Sequence, residues 1–330
     1  MNDLALAVFA AETGTHLVEE PRERRFERFR RGFDAERYRM SLHASGLRFV
    51  GRSGSDFPLL LRELHDPPPG LFLRGSAEAG LLRAPAVAIV GARACSSYGA
   101  QVARMLGREL AAAGLVVVSG LARGVDGEAH RGALEAGGTT LAVLGCGVDR
   151  DYPAAHAQLA RGIGETGLLV SEYAPGVEPA PWRFPARNRI IAGLAAVTVI
   201  VEARERSGAL ITADFALEAG REVFAVPGEI TSALSIGTNT LLRLGATPLT
   251  SADDVLECLG LESAPASALE LGENAANVLA ALESEAAAPD RLGQLTGLDA
   301  ATLASALTEL ELAGAAVEAD GVYRGVRRPD

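Results

Sequence analysis

The sequence contains no lysine: all 31 of its Lys+Arg positions are arginine. Any phosphate contact must therefore use the forked, permanently charged guanidinium, although the base composition of the genome accounts for the bias equally well. Cysteine is scarce too. Cys95, Cys146 and Cys258 are far apart and belong to no CxxC or Cys/His cluster, which argues against a disulfide framework or a zinc site and fits a reducing cytoplasm. No apolar run reaches the roughly 18 residues of a membrane span, and the opening MNDLALAVFAAETG has no basic segment ahead of its apolar stretch, so a soluble, unexported protein is expected. Positive charge is in deficit. A formal net charge of -11 is the opposite of the broad basic coat of the simplest nucleic-acid binders, so any such site has to be local.

What remains is ordinary globular material, with 330 residues, 48% hydrophobic and 22% charged. That suffices for one large domain of roughly 200 residues with one or two small ones beside it. Six apolar, β-branched runs recur through the middle: AVAIVG (86–91), LVVVSG (115–120), TTLAVLG (139–145), LLVSEY (168–173), VTVIVEA (197–203) and EVFAVPG (222–228). Amphipathic segments such as AQVARMLGRELAAAG and DGEAHRGALEAGG separate them. Near-continuous apolar strands alternating with helices predict a doubly wound, Rossmann-like α/β domain whose parallel sheet is covered on both faces.

The flanks read differently. DPPPG (66–70) is a break that no helix or central strand carries, and LFLRG after it marks an extra edge strand. Residues 1–56 are expected to form a small helical module. Its run PRERRFERFRRGFDAERYR interleaves glutamate with arginine, which suits a solvated helix better than a DNA arm. The main domain is expected over 57–262, a linker over 263–273, and a winged helix over 274–330. The last rests on three helical segments followed by AAVEADGVYRGV, two short strands with a turn at Asp320-Gly321. A duplex-reading winged helix needs basic side chains on its second helix-turn-helix element and on the wing. From Glu270 onward there are only Arg291, Arg324, Arg327 and Arg328 against eleven acids, so a protein-contact or structural role is favoured.

In open parallel sheets ligands collect at the carboxyl ends of the strands. The first such loop, GARACSSYG, offers Gly91, Arg93, Ser96, Ser97 and Gly99 ahead of a helix, a combination of close backbone approach, hydroxyls, helix N-terminal amides and charge that suits a phosphate. It is not a Walker A loop, and no acid ends the second strand as a dinucleotide site requires, so no nucleotide cofactor is expected. Gly145-Cys146-Gly147 reads as a tight turn. Asp126 and His130 stand at i and i+4 on a helix start, where capping and mutual pairing is the plainer reading than catalysis. The segment WRFPARNRIIAGLA interleaves Trp182 and Phe184 with Arg183, Arg187, Asn188 and Arg189. Arginines that neutralise phosphates beside an aromatic that stacks a base form a recipe for single-strand binding. The alternative is that the ring packs under the sheet and one arginine pairs with Glu172.

Taken in order and spacing, these loops resemble the DprA (Smf) family. The elements are Asp66-Pro67-Pro68; GARACSSYG; SGLARGVDGEAHRGAL; GCGVDRDYP; Ser171-Glu172; FPARNRIIAGL; VEARERSGALITADFALEAGREVFAVPG; and GTNTLLRLGA, spread over about residues 56–258. The resemblance implies a non-catalytic protein that binds and protects incoming single-stranded DNA in natural transformation and recombination. It also implies loading of the RecA recombinase past single-strand-binding protein, action as a homodimer, and no cofactor or metal. Carried over by position, the DNA site would comprise Gly91, Arg93, Ser96, Ser97, Gly99, Ser119, Gly120, Arg183, Phe184, Arg187, Asn188 and Arg189. Two departures stand out: Ala92 replaces the usual serine or threonine, and only His156 and Arg161 follow the YP where relatives carry a basic residue. Two rival functions are an enzyme and an adaptor. A similar scaffold serves nucleoside-monophosphate phosphoribohydrolases, but their PGGxGTxxE motif is absent. The adaptor would recruit a basic partner through the acidic C-terminal module.

Overall fold

The computed structural model describes residues 3–13, 24–261, 271–319 and 321–325. It divides into two compact units, residues 1–262 and 263–330. In the first unit the strands are β1 (Leu47–Gly51), β2 (Gly70–Arg74), β3 (Ala86–Val90), β4 (Val116–Ser119), β5 (Thr140–Val143), β6 (Leu168–Ser171), β7 (Val197–Ile200), β8 (Glu222–Ala225) and β9 (Thr247–Pro248). They form one sheet in the order β1-β2-β6-β5-β4-β3-β7-β8-β9. From β6 to β9 all pairs are parallel. The six apolar runs supply β3 to β8, so the doubly wound, Rossmann-like α/β reading holds.

Alternation along the strands decides which helices cover which face. Ala86, Ala88 and Val90 join Val116 and Val118 in one core, against Ile190 and Leu194 of the helix Arg183–Leu194 and Ala213 and Ala216 of the helix Gly208–Glu218. Val87 and Ile89 face the other way, onto Leu106 and Leu110 of the helix Ser97–Ala112 and Ala129 and Ala133 of the helix Val125–Glu135. Every strand of the middle is therefore apolar on both sides, which is why its sequence shows runs rather than alternation.

The N-terminal part departs from the reading. β2 is not an edge strand: it pairs antiparallel with β6 on one side and with β1 on the other. Residues 47–51 thus belong to the large sheet, and Leu4 and Val8 of the helix Asp3–Thr13 pack with Leu42, Leu47 and Phe72 against Val148 and Ala174. The arginine-rich stretch is a helix over Arg24–Gly32 whose Phe26 is buried and whose Phe29 meets Phe9, with arginines outward; residues 21–23 of that stretch lie outside the described ones.

The second unit contains helices Glu273–Ser284, Pro289–Thr296 and Ala300–Leu312, followed by β10 (Ala316–Ala319) and β11 (Val322–Gly325) paired antiparallel. Val278, Leu282, Leu292, Leu303, Leu307 and Leu310 form its core. This is the expected winged helix; Asp320 of its turn and residues 262–270 of the expected linker lie outside the described residues. Among the described residues no helix is long and apolar enough to cross a membrane.

The helices Ser97–Ala112 and Val125–Glu135 approach at glycine. A Cβ on Gly132 would fall on the Arg104 carbonyl oxygen, and one on Gly107 on that of Ala129. Gly132→Ala is expected to cost about 1–3 kcal/mol, the range of overpacking against backbone that cannot step aside. Gly162→Ala, whose methyl would meet only Leu134 at 3.5 Å, is expected to be neutral or stabilising by up to about 1 kcal/mol through helix propensity. Urea unfolding of the two variants side by side checks the contrast.

Candidate functional site

The chain leaves β3 toward β4, β5 and β6, then returns to the other side of β3 as β7. Such a reversal opens a crevice beyond the carboxyl ends of the two strands, because their following connections diverge to opposite faces. A cleft of about 400 Å³ lies there, lined by Gly91 and Arg93 after β3, Asp126, Phe184, Arg187, Asn188, and Arg204, Arg206 and Ser207 after β7.

The loop after β3 was expected to cradle a phosphate at the helix start. Ser96 does cap the helix, its Oγ accepting from the Gly99 amide at 3.0 Å. The same hydroxyl and the Ser96 amide donate to the carboxylate of Glu202, the amide at 2.9 Å. Glu202 is only 5% exposed, and a Cβ on Gly99 would collide with its carboxyl group. The helix N-terminus is thus already satisfied by an internal anion, and Ser96 and Gly99 face that carboxylate instead of an open phosphate cradle. Gly91 is needed for packing, since a Cβ there would come within 2.7 Å of Val125. Arg93 stays exposed on the rim, and Ser97 is exposed without lining the cleft.

Farther in, Ser119 is fully buried and donates to the Ile89 carbonyl at 2.6 Å. Gly120 lies against the guanidinium of Arg187, where a Cβ would approach Nη1 to 2.5 Å. That guanidinium donates through Nη1 to the Gly120 carbonyl at 2.8 Å and to the Val143 carbonyl, and through Nε to Asn188 Oδ1 at 3.2 Å. Asn188 in turn donates to the Gly208 carbonyl at 3.0 Å. Arg189 is clamped between Glu172 at 2.6 Å and Asp66 at 3.1 Å, its side chain 4% exposed. Arg187 and Arg189, expected to neutralise successive phosphates, are both buried and engaged by internal acceptors, Arg187 at the wall of the cleft. The alternative reading, an arginine paired with Glu172, describes Arg189. Arg183 is half-buried, its guanidinium 4.9 Å from the centre of the Trp182 ring and 5.2 Å from that of Tyr173.

Asp126 and His130 do not pair with each other. Asp126 Oδ2 accepts from the amides of Gly120 at 3.1 Å and Ala122 at 3.4 Å. Burial raises its carboxyl above the usual range, with Arg187 and the two amides opposing. Burial also pushes Arg187 down to about 10, with Asp126 opposing, so the guanidinium keeps its charge at neutral pH. The Thr140 hydroxyl gives its proton to the Val117 carbonyl at 2.6 Å, so His130 Nδ1–H donates to Thr140 Oγ1 at 2.7 Å. Burial, reinforced by His156 and Arg187, drives His130 down to about 3.

Phe184 is half-buried with the Arg93 guanidinium 5.4 Å from its ring centre. Arg204 and Arg206 are exposed and line the same cleft. The sequence marks their loop, EARERSGALIT (202–212), as a strand-end loop where a ligand could collect, but singles out neither arginine; the placement of β7 beside β3 does.

The family model for DNA recombination-mediator protein A matches residues 48–260, and that for the DprA winged helix domain matches residues 262–321. The chain is 48% identical over 200 residues to DNA processing protein DprA of Streptococcus pneumoniae, covering 61% of this chain and 70% of that protein. It is 39% identical over 284 residues to protein Smf of Escherichia coli, covering 82% and 75%. Its structure resembles the crystal structure of DprA from Streptococcus pneumoniae with a TM-score of 0.67 and 37% identity, over 79% of this chain and 93% of that one. It also resembles DNA processing protein A from Helicobacter pylori, solved for its single-stranded DNA binding mode, with a TM-score of 0.58 and 32% identity over 64% and 95%.

His130 gives this buried cluster a pH signature. Its folded pKa of about 3 lies below the ordinary 6.5, so the unfolded chain takes up the proton first and stability is lost as pH falls from 6.5 toward 3. Between pH 6.5 and pH 5 this one group removes about 2 kcal/mol, at about 1.4 kcal/mol per unit. His130→Gln is expected to lose that much less stability than the parent over the same interval, measured by urea unfolding at both pH values.

Proposed function

The chain belongs to the DNA recombination-mediator protein A family, and from that premise we propose that it binds single-stranded DNA across the crevice between β3 and β7. The observation that carries the reading is the rim of that crevice: Arg93, Arg204 and Arg206, all exposed, around the half-buried ring of Phe184. Exposed guanidinia suit phosphates, and a π-face beside them suits an unpaired base, which needs no sequence-specific contact. The single-stranded DNA binding mode of the Helicobacter pylori relative supports the same reading. Arg93, Ser97, Arg183 and Phe184 keep their expected contact role in this proposal and gain Arg204 and Arg206. Gly91, Ser96, Gly99, Ser119, Gly120, Arg187, Asn188 and Arg189 act from behind, by holding the loops that present the rim.

No catalysis is part of the proposal. The acid-base candidates are engaged elsewhere, Asp126 by backbone amides and His130 by Thr140. Family membership supports the further steps we propose: protection of incoming DNA in natural transformation, loading of RecA past single-strand-binding protein, action as a homodimer, and a cytoplasmic location. We also propose a division of labour in which the sheet unit carries DNA and the winged helix meets protein. The helix Ala300–Leu312 carries Glu309, which accepts from the Gly272 amide, and the exposed Glu311, and no arginine, which suits a basic protein surface better than a phosphate backbone.

The double variant Arg93→Ala/Arg206→Ala is expected to lower affinity for an oligo-dT at least tenfold. The slope of log K against log salt should shrink by about 1.4, since each single-strand phosphate that an arginine neutralises adds roughly 0.7 to it. The melting transition of the variant should not move, since both side chains are exposed. Anisotropy titrations across a salt series read both quantities, and unchanged affinity with an unchanged slope rejects the site. Arg187→Ala provides the contrast: removal of the buried guanidinium takes the donor from the Gly120 and Val143 carbonyls and the opposing charge from the buried Asp126, and the variant is expected to lose about 3–5 kcal/mol of stability.

A further inference from the structure

The loop after β5 carries an aromatic residue that none of the readings above uses. Tyr152 is 43% exposed, and its ring stacks on Phe184 with centroids 5.4 Å apart and planes inclined by 22°. Phe184 owes its position to Gly145, where a Cβ would come within 2.8 Å of its Cδ1, and it holds the Arg93 guanidinium 5.4 Å from its centre. Two loops and the first turn of the helix Arg183–Leu194, far apart in sequence, therefore build one ladder of planar groups, Arg93, Phe184 and Tyr152, at the mouth of the crevice. Among the described residues no hydrogen bond to the Tyr152 hydroxyl is present, so polar bonding does not explain where this ring sits. An exposed, nearly parallel ring presents the flat apolar surface on which an unpaired base stacks.

We propose that Tyr152 is a nucleobase-stacking residue, and that the ladder of Tyr152, Phe184 and Arg93 engages the bases of a single strand while the rim arginines hold its phosphates. The proposal rests on the single-stranded DNA reading and deepens it. It assigns part of the affinity to base faces, which a duplex keeps stacked inside itself. The two parts separate experimentally, because phosphate contacts respond to salt and stacking responds to whether bases are there at all.

The test uses the full chain and two oligomers of equal length, one of dT and one with abasic sites throughout. The parent protein is expected to bind the dT oligomer roughly five- to 150-fold more tightly per stacked base than the abasic one, the span of measured base–aromatic stacking. Tyr152→Ala should lose most of that preference while keeping the salt slope and the affinity for the abasic oligomer. Tyr152→Phe should retain the preference, since the ring and not the hydroxyl does the stacking. If Tyr152→Ala keeps the preference, or weakens both oligomers equally, the stacking role is wrong while the binding function stands. If the parent binds neither oligomer, the single-stranded DNA reading itself fails and this inference falls with it.

Discussion

A guanidinium buried at the ends of the strands organises this molecule. Arg187 donates to the carbonyl after β4 and to the last carbonyl of β5, bonds Asn188 beside it, and lies close enough to Asp126 to oppose the effect of burial on that carboxyl. Carbonyls at strand ends have no ladder partner, and leaving them dry costs free energy. One planar, multiply donating side chain answers several at once, as an ammonium could not. Because Arg187 sits on the helix that starts at Arg183, the bonds that seal the strand ends also fix where Phe184 projects. Asn188 extends the same network to the start of the helix Gly208–Glu218, next to the loop that carries Arg204 and Arg206. The exposed rim is thus presented by a buried polar frame, and the frame tolerates its charge because Asp126 is buried with it.

The two anion-handling features of the cleft follow from this arrangement. An N-terminus of a long helix is where a phosphate would ordinarily be sought, yet Glu202 reaches it from the end of β7 and satisfies Ser96. Its carboxylate lends the Ser97–Ala112 helix a fixed negative partner at the Ser96 amide and hydroxyl. Positive potential is therefore concentrated on the exposed guanidinia of the rim. A net charge of -11 is no obstacle to such a site, since attraction over one Debye length of about 8 Å is governed by the nearest charges.

Much of this was legible in the sequence, and the parts that were not share a cause. Six apolar runs separated by amphipathic segments pointed to the parallel sheet, because strands buried on both faces have no polar side to show. The loops that line the cleft were legible for the same reason: each directly follows a strand. Which arginine reaches solvent was not. Arg187 and Arg189 are two residues apart on a helix whose first half mixes Arg and Asn with Phe, Pro and Ala, and their burial depends on Gly120, Glu172 and Asp66, distant in sequence. Arg204 and Arg206 were passed over because their importance comes from the strand order, with β7 placed beside β3. β1 escaped notice because LRFVG alone has no neighbour; its pairing with β2 is a property of two short segments together.

The ladder at Tyr152 illustrates the same dependence at closer range. The YP tyrosine, the Gly145 turn, Phe184 and Arg93 lie on separate segments, and in sequence each has a bland explanation of its own. The Rossmann-like order brings the ends of β3 and β5 to the same edge of the sheet, and the helix Arg183–Leu194 then lays its first turn across them. Gly145 leaves the space that the phenyl ring fills; the ring in turn offers its π-system to a cation and to a second ring, two interactions with compatible electrostatics because each meets the negative face or offset edge of the quadrupole. A rim assembled in this way holds its charge and its apolar surface side by side. In the proposed role, that juxtaposition suits a single strand, which offers phosphates and open base faces together, over a duplex, whose base faces stay stacked inside, or a simple polyanion, which offers charge alone.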